Sequence, residues 1–487
     1  MAKSREKTCV LGVDLGTSAL KLVAVSRTGE ILATARESYP TVSAADGRAE
    51  QDAELWLKAL STAARKVMSR LPANTRVEAI ALTGQMPTLV ILRDNKPIGR
   101  AITWQDSRAD RWAGARVNDQ LRRDIYLRTG VLVDGRYLAP MFEFHHEGSA
   151  VDIILSAKDF IFLVLTGVAA TDPSTASGYA LYNLRTNRWD SEFCIFWHIS
   201  PGQLPAVEGS SYCAPLTKHG SRLLACVPGI PVFLGCADSV AGAYALSGGT
   251  KNLRHSAAVL TGTSTVIMTC DSRPHWDRRN RYLLTPFAVD GWYAREADLL
   301  ASGSAREWAE SFLQRGAKHN ESGDLWQSAY KVAPGADGLF FSPYLGAGEQ
   351  GVLWNPSLRG TLTGLTLNHD AAKIARALLE GMCFEIRRCL EVLEEGTGRS
   401  SKIFLAGWMA ASPEESQTLA DITGKSVHAV TLSCSSAIGA ALLSGIIDCE
   451  KVVKKAKSAD FSPGERRQSY ERIYKEYIAQ FPLRGRG

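Results

Sequence analysis

The chain lacks the features of a membrane, secreted or nucleic-acid-binding protein. No apolar run approaches the roughly 20 residues that cross a bilayer as a helix, so no membrane association is expected. Its ten cysteines form no Cys-x-x-Cys pair and show no spacing suited to a metal site. The start carries no signal-peptide pattern, so the thiols read as reduced and mostly buried, and the protein as cytoplasmic. Charge of one sign is scarce too: 56 Lys and Arg against 50 Asp and Glu leave only +6. The basic stretches at Lys451 to Lys457 and around Arg484 and Arg486 read as solvated faces or ends, and no nucleic-acid partner is expected. No GxxxxGK[ST] loop stands at a strand-helix junction, which excludes the P-loop class.

What the chain does have is length and an α/β rhythm. At 487 residues it exceeds what one hydrophobic core usually serves, so two large domains are expected. An apolar strand, Cys9 to Leu15, is followed by Gly16-Thr17-Ser18 and a second strand, Leu20 to Ser26. About half the chain later the pattern recurs: Ala257 to Thr261, Gly262-Thr263-Ser264, then Thr265 to Cys270. Small residues between two β-rich runs predict a hairpin. Two such hairpins predict two related domains, 1–248 and 249–487, with the boundary at Gly248-Gly249. Helices are expected over Asp52 to Leu71, Ser239 to Leu246, Ala371 to Glu394, Pro413 to Ile422 and Ala437 to Ile446.

Three segments suit chemistry. In Asp14-Leu15-Gly16-Thr17-Ser18, backbone N–H groups and hydroxyls can surround a phosphate, and the Asp14 carboxylate suits Mg²⁺. The plain alternative is a hairpin turn with a locally bonded aspartate. In Gly235-Cys236-Ala237-Asp238-Ser239, Asp238 ends a buried strand and opens a helix. Locally it reads first as an N-cap, and second as a general base for an attacking hydroxyl. Thr83-Gly84-Gln85-Met86-Pro87 and Trp104-Gln105-Asp106-Ser107-Arg108 put amide, charged and aromatic side chains at strand ends, as sugar recognition requires, or else form structural loops.

Taken together, residues 8 to 447 resemble the FGGY carbohydrate kinases, most closely the xylulokinase-like branch. DLGTSALK at Asp14 to Lys21 and TGTSTV at Thr261 to Val266 look like the two phosphate motifs. GCADSVAGAYALSG resembles the segment bearing the catalytic aspartate, which makes Asp238 the base by carry-over. TGQM and TWQDSR are similar to the sugar-binding segments and implicate Gln85, Met86, Trp104, Asp106 and Arg108. SPYLGAGEQG and GTLTGLTLNHDAAKIARALLEG resemble the signature region of the second domain.

The resemblance implies two actin-like (ribonuclease H-like) ATPase domains with the active site in the cleft between them. It further implies ATP and Mg²⁺ as cofactors, a ketose such as D-xylulose as substrate, and a homodimer. Asp14 would position the metal. Gly16, Thr17, Ser18, Lys21, Gly262, Thr263, Ser264, Gly348, Gly407, Ser412 and Gln417 would contact the nucleotide. Two positions depart from the family pattern. Pro87 stands where xylulokinases carry a sugar-contacting histidine, and Trp408-Met409 replace small residues of the adenosine loop.

Overall fold

The computed structural model describes residues 7–146, 148, 150–314, 324–346, 351–355 and 357–482. Both expected hairpins form. Lys7–Leu15 pairs antiparallel with Ala19–Ser26, and Ser256–Thr261 with Thr265–Asp271. The chain divides into two compact units, each built on a sheet that holds one hairpin.

The first sheet runs, in order, Cys213–Pro215, Pro231–Ala237, Thr75–Gly84, Lys7–Leu15, Ala19–Ser26 and Ile31–Ser38. Thr75–Gly84 is parallel to both Lys7–Leu15 and Pro231–Ala237. Parallel strands are covered on both faces, and residues 9–15 are accordingly buried without interruption. The helix Ala53–Arg70 is capped by Asp52, whose side chain accepts from the Glu54 N–H. It buries Trp56, Leu60, Ala63, Ala64 and Val67, the one-sided spacing of an amphipathic helix.

The sheet of the second unit repeats that order. Tyr293–Leu299, Thr265–Asp271, Ser256–Thr261, Lys402–Gly407, Ser426–Thr431 and Lys457–Phe461 lie side by side. Ser256–Thr261 is parallel to Lys402–Gly407, which is parallel to Ser426–Thr431. In each sheet a hairpin is therefore extended by two parallel strands and closed by an antiparallel one. The internal repeat suggested by the two GTS turns extends to whole sheets.

The partition differs from a single cut at Gly248-Gly249. Residues 1–250 form the first unit together with 271–294 and 434–455; residues 251–270, 295–433 and 456–487 form the second. The helix Ser435–Leu443 explains one return. It packs with the helix Asp238–Ser247 and with strand Lys7–Leu15, and its own residues 437–443 are buried. The approach is close: a Cβ on Gly439 would stand 1.9 Å from the Ala241 carbonyl oxygen. Small apolar residues here serve the first sheet although the sequence places them near the other end.

No helix among the described residues is long and apolar enough to cross a membrane. None of the ten cysteines forms a disulfide; seven are buried, and Cys213 is exposed.

Candidate active site

The first unit gathers carboxylates at the ends of its parallel strands. Asp14 sits near the end of Lys7–Leu15 and is only 2% exposed. Its Oδ2 lies 3.2 Å from Lys21 Nζ, across the hairpin register that pairs these residues. Its Oδ1 is buried with no hydrogen-bond partner. Burial raises the Asp14 carboxyl against the opposing pull of Lys21, and the Asp14 charge raises Lys21 in return.

Asp238 follows strand Pro231–Ala237. Gly235, at φ +69°, carries a bulge in that strand, where the register with Thr75–Gly84 shifts. A side chain there would drive into the Leu82 carbonyl, 1.7 Å from its Cβ. The local N-cap reading of Asp238 is corrected: Ala237 occupies the cap position, and Asp238 is the first helical residue. Its Oδ1 accepts from the Ser239 N–H at 2.8 Å. Asp238 is half-buried. Burial first, then the charge of Asp14, pushes its pKa up to about 7, against the Ser239 N–H and Lys21.

The sugar-type segments of this unit lie against the first GTS turn. Trp104 Nε1 donates to the Thr17 hydroxyl at 3.0 Å, and Gln51 Nε2 donates to the Thr17 carbonyl at 2.6 Å. Gln85 is 1% exposed; its Nε2 donates to Gln51 Oε1, and its own Oε1 has no partner. Asp106 accepts from the Ala49 N–H and the Arg108 N–H, while the Arg108 guanidinium binds both Asp106 and Glu50. Burial would raise Asp106, but these hydrogen bonds outweigh it and hold the carboxyl below its usual range. Met86 is half-buried. Tyr39 donates to the Gly16 carbonyl, and Ser18 is exposed.

The second unit shapes its own turn. The Gly262 N–H donates to the Ser264 carbonyl at 2.7 Å, and Gly262 and Thr263 are exposed. The Ser302 N–H donates to the Thr263 carbonyl and the Gly303 N–H to the Gly262 carbonyl, so the helix Gly303–Leu313 starts on this turn. Gly407 holds φ +92° beside Thr261. The bulky Trp408 that follows donates from Nε1 to the Gly262 carbonyl at 3.2 Å, and Arg306 lies over both its ring and that of Trp326. Ser412 caps the helix Pro413–Thr423 through the Glu415 N–H. Gln417 lies further along that helix, its amide donating to Asp421 and to the Ser462 carbonyl. Gly348 lies outside the described residues.

Two carboxylates, two glycine turns and an amide-indole cluster, in this chain order, can be compared with known proteins. Residues 9–245 match the FGGY family of carbohydrate kinases, N-terminal domain, and residues 257–446 match its C-terminal domain. The chain belongs to the FGGY carbohydrate kinases.

This FGGY kinase is 28% identical to the xylulose kinase of Lactococcus lactis, over 96% of its own chain and 95% of that protein. It is also 28% identical to the gluconokinase of Bacillus subtilis, over 97% and 94%. The solved xylulose kinase of Lactobacillus acidophilus superposes with a TM-score of 0.87 at 24% identity, covering 97% of each chain. The protein is an ATP-dependent sugar kinase with the mixed α/β, two-domain fold of that family.

Sequence reasoning passed over several residues of this kinase. Gln51 is fully buried and joins Trp56, Gln85, Thr17 and Thr41, yet it stands alone in a polar stretch with no motif around it. His145 brings Nε2 to 4.0 Å from Asp106; that nitrogen is buried without a hydrogen-bond partner, and burial lowers the imidazole pKa. Ser302 and Gly303, which support the second turn, resemble any helix start.

Proposed function

We propose that this kinase transfers the γ-phosphoryl of ATP to a hydroxyl of a neutral ketose, with D-xylulose the best single candidate, and that Asp238 is the base. The observation that carries the reading is the Asp238 carboxyl. It is raised to about 7 by burial and by the charge of the buried Asp14, at the end of a bulged strand. A base with a pKa near working pH can take a hydroxyl proton and release it again. Phosphoryl transfer asks for this kind of positioning and for charge stabilisation around the phosphoryl group.

Asp14 fits a Mg²⁺ ligand because its Oδ1 is buried and partnerless. Mg²⁺ bound with a nucleotide is ordinarily held by one or two carboxylates plus phosphates. Bound with ATP, Mg²⁺ would neutralise phosphate charge. Lys21 balances Asp14, and the turns Gly16 to Ser18 and Gly262 to Ser264, in which Ser18, Gly262 and Thr263 are exposed, are proposed to hold phosphate oxygens. Gln85, Met86, Trp104, Asp106 and Arg108 are proposed to bind the sugar, with Gly407 and Ser412 on the nucleotide side.

A neutral substrate is favoured over an aldonate by the state of the nearby cations. Arg108 already binds Asp106 and Glu50. Arg136 binds Asp134, and Gly135 between them lies against the Ala109–Asp110 backbone. A substrate carboxylate entering beside Asp106 would meet anions first, and an uncompensated charge in a desolvated site is costly.

The test is ADP release with Mg-ATP across D-xylulose, D-ribulose, erythritol, glycerol and D-gluconate. A neutral sugar is expected to exceed gluconate by at least about tenfold in kcat/KM. Stronger stimulation by gluconate would overturn the neutral-substrate reading. Trp408, filling the adenosine loop, motivates a second reading, a sugar or nucleotide sensor. Ligand binding with no turnover on any sugar would favour it.

A further inference from the structure

A buried polar chain leads from the middle of the first unit to the Cys236–Ala237 peptide group, one peptide before Asp238. Lys158, 1% exposed, places Nζ 2.7 Å from Asp159 and 3.2 Å from Asp172, and donates to the Leu234 carbonyl of the strand that ends at Ala237. Asp172 is fully buried and N-caps the short helix Pro173–Ala176, accepting from the Ser174 N–H and the Ser174 hydroxyl. That hydroxyl has one proton, and it goes to the carboxylate. Its lone pair is thereby aimed outward, and the Ala237 N–H donates to it at 2.9 Å.

On the other side of the same strand end, the Thr83 hydroxyl donates to the Cys236 carbonyl at 2.6 Å. The single peptide group between Cys236 and Ala237, which follows the Gly235 bulge, is thus clamped at its carbonyl and at its N–H by side chains from two other elements. The Ser174 segment also reaches the GQM turn, since Gly178 lies against Met86 and Pro87. An aspartate that merely caps its helix has no need of a serine hydroxyl that bridges to another strand.

We propose that Ser174 is a positioning residue for Asp238, with its hydroxyl oriented by Asp172 and Lys158 so that it fixes the Ala237 peptide and hence the direction of the base. This rests on the reading of Asp238 as the base. Lys158 and Asp172 set the orientation of the hydroxyl, and Ser174 transmits it. A bulge bends its strand and re-aims the side chains beyond it, and a shift of about 1 Å in a reacting group can cost on the order of a hundredfold in rate.

Ser174→Ala, Ser174→Thr and Asp238→Asn would be assayed as full-length proteins, by ADP release with Mg-ATP and whichever of D-xylulose, D-ribulose, erythritol, glycerol or D-gluconate supports the highest wild-type turnover. Ser174→Ala is expected to lower kcat about tenfold or more with both KM values within about twofold, and to lower the melting temperature by only a few degrees because the Ala237 N–H loses its buried partner. Ser174→Thr, which keeps the hydroxyl, is expected to recover most of the loss. Wild-type kcat in Ser174→Ala, or a loss shared by KM and by a fall in melting temperature beyond those few degrees, overturns the inference. So does a loss that threonine fails to restore in a variant that melts like the wild type. If Asp238→Asn is inactive while Ser174→Ala is normal, only this inference falls. If Asp238→Asn is fully active, the reading of the base falls with it.

Discussion

Trp104 donates its indole N–H to the Thr17 hydroxyl, so a sugar-type segment and a phosphate-type turn share one hydrogen bond within the first unit. The two functions proposed for this region are therefore mechanically joined. Trp104→Phe keeps an aromatic face and removes the donor. It is expected to lower kcat/KM for the sugar about fivefold, the worth of roughly one hydrogen bond, and to raise the KM for ATP as well. Steady-state kinetics varying each substrate would check this. An effect on the sugar alone would show that the bond does not couple the two.

Asp14 presents one oxygen to Lys21 and keeps the other buried without a partner. Asp14→Asn retains the shape and loses the charge that a hard cation seeks. The Mg²⁺ concentration for half-maximal ADP release is expected to rise by about tenfold or more. An unchanged Mg²⁺ requirement would remove Asp14 from the metal site.

The raised pKa of Asp238 has a thermodynamic side. In the folded protein the carboxyl holds its proton up to about pH 7, whereas unfolded it releases it near the ordinary aspartate value of 3.8. The folded state therefore binds more protons between those values, and this contribution to stability is lost as pH rises through about 7. Asp238→Asn carries no such dependence. Relative to wild type it is expected to gain on the order of 4 kcal/mol, a few degrees in melting temperature, between pH 4 and pH 8. Thermal melts of both proteins across that range would test it; parallel curves would mean that burial does not strain this carboxyl.

A stabilising network stands apart from the site, in the second unit. Tyr470 donates to Glu380 Oε1 at 2.8 Å and receives a bond from Arg376, and the three residues are all but fully buried. They join the helices Ala371–Leu393 and Arg467–Gln480. Tyr470→Phe leaves the Arg376–Glu380 pair buried and short of a partner, at an expected cost of roughly 1–3 kcal/mol. Urea unfolding would measure this, and the KM values of the folded variant are expected to match wild type.

The parts of this molecule that were legible in the sequence are those written locally. Both GTS hairpins declare themselves through apolar strands around small residues, and the long helix at Ala371 through its periodic apolar face. Asp238 was visible at a strand-to-helix junction, though its exact place, one residue inside the helix, depends on how Ala237 leaves the bulge. What stayed hidden is non-local. The return of Ser435–Leu443 to the first sheet is a matter of small residues fitting a distant strand, which its own pattern does not name. Gln51, His145 and Ser174 gain meaning from partners far along the chain. Gln417, placed near the nucleotide by resemblance, donates its amide to Asp421 and to the Ser462 carbonyl.

The most direct test of the central claim is transfer itself: sugar-stimulated ADP release, with phosphosugar detected in equal amount, in wild type and Asp238→Asn. Wild type is expected to convert a neutral sugar stoichiometrically, and the variant to lose roughly 100-fold to 10,000-fold in kcat, the range of a general base. Equal turnover in the two proteins would contradict a base at Asp238, and ADP release without phosphosugar would contradict transfer to the sugar.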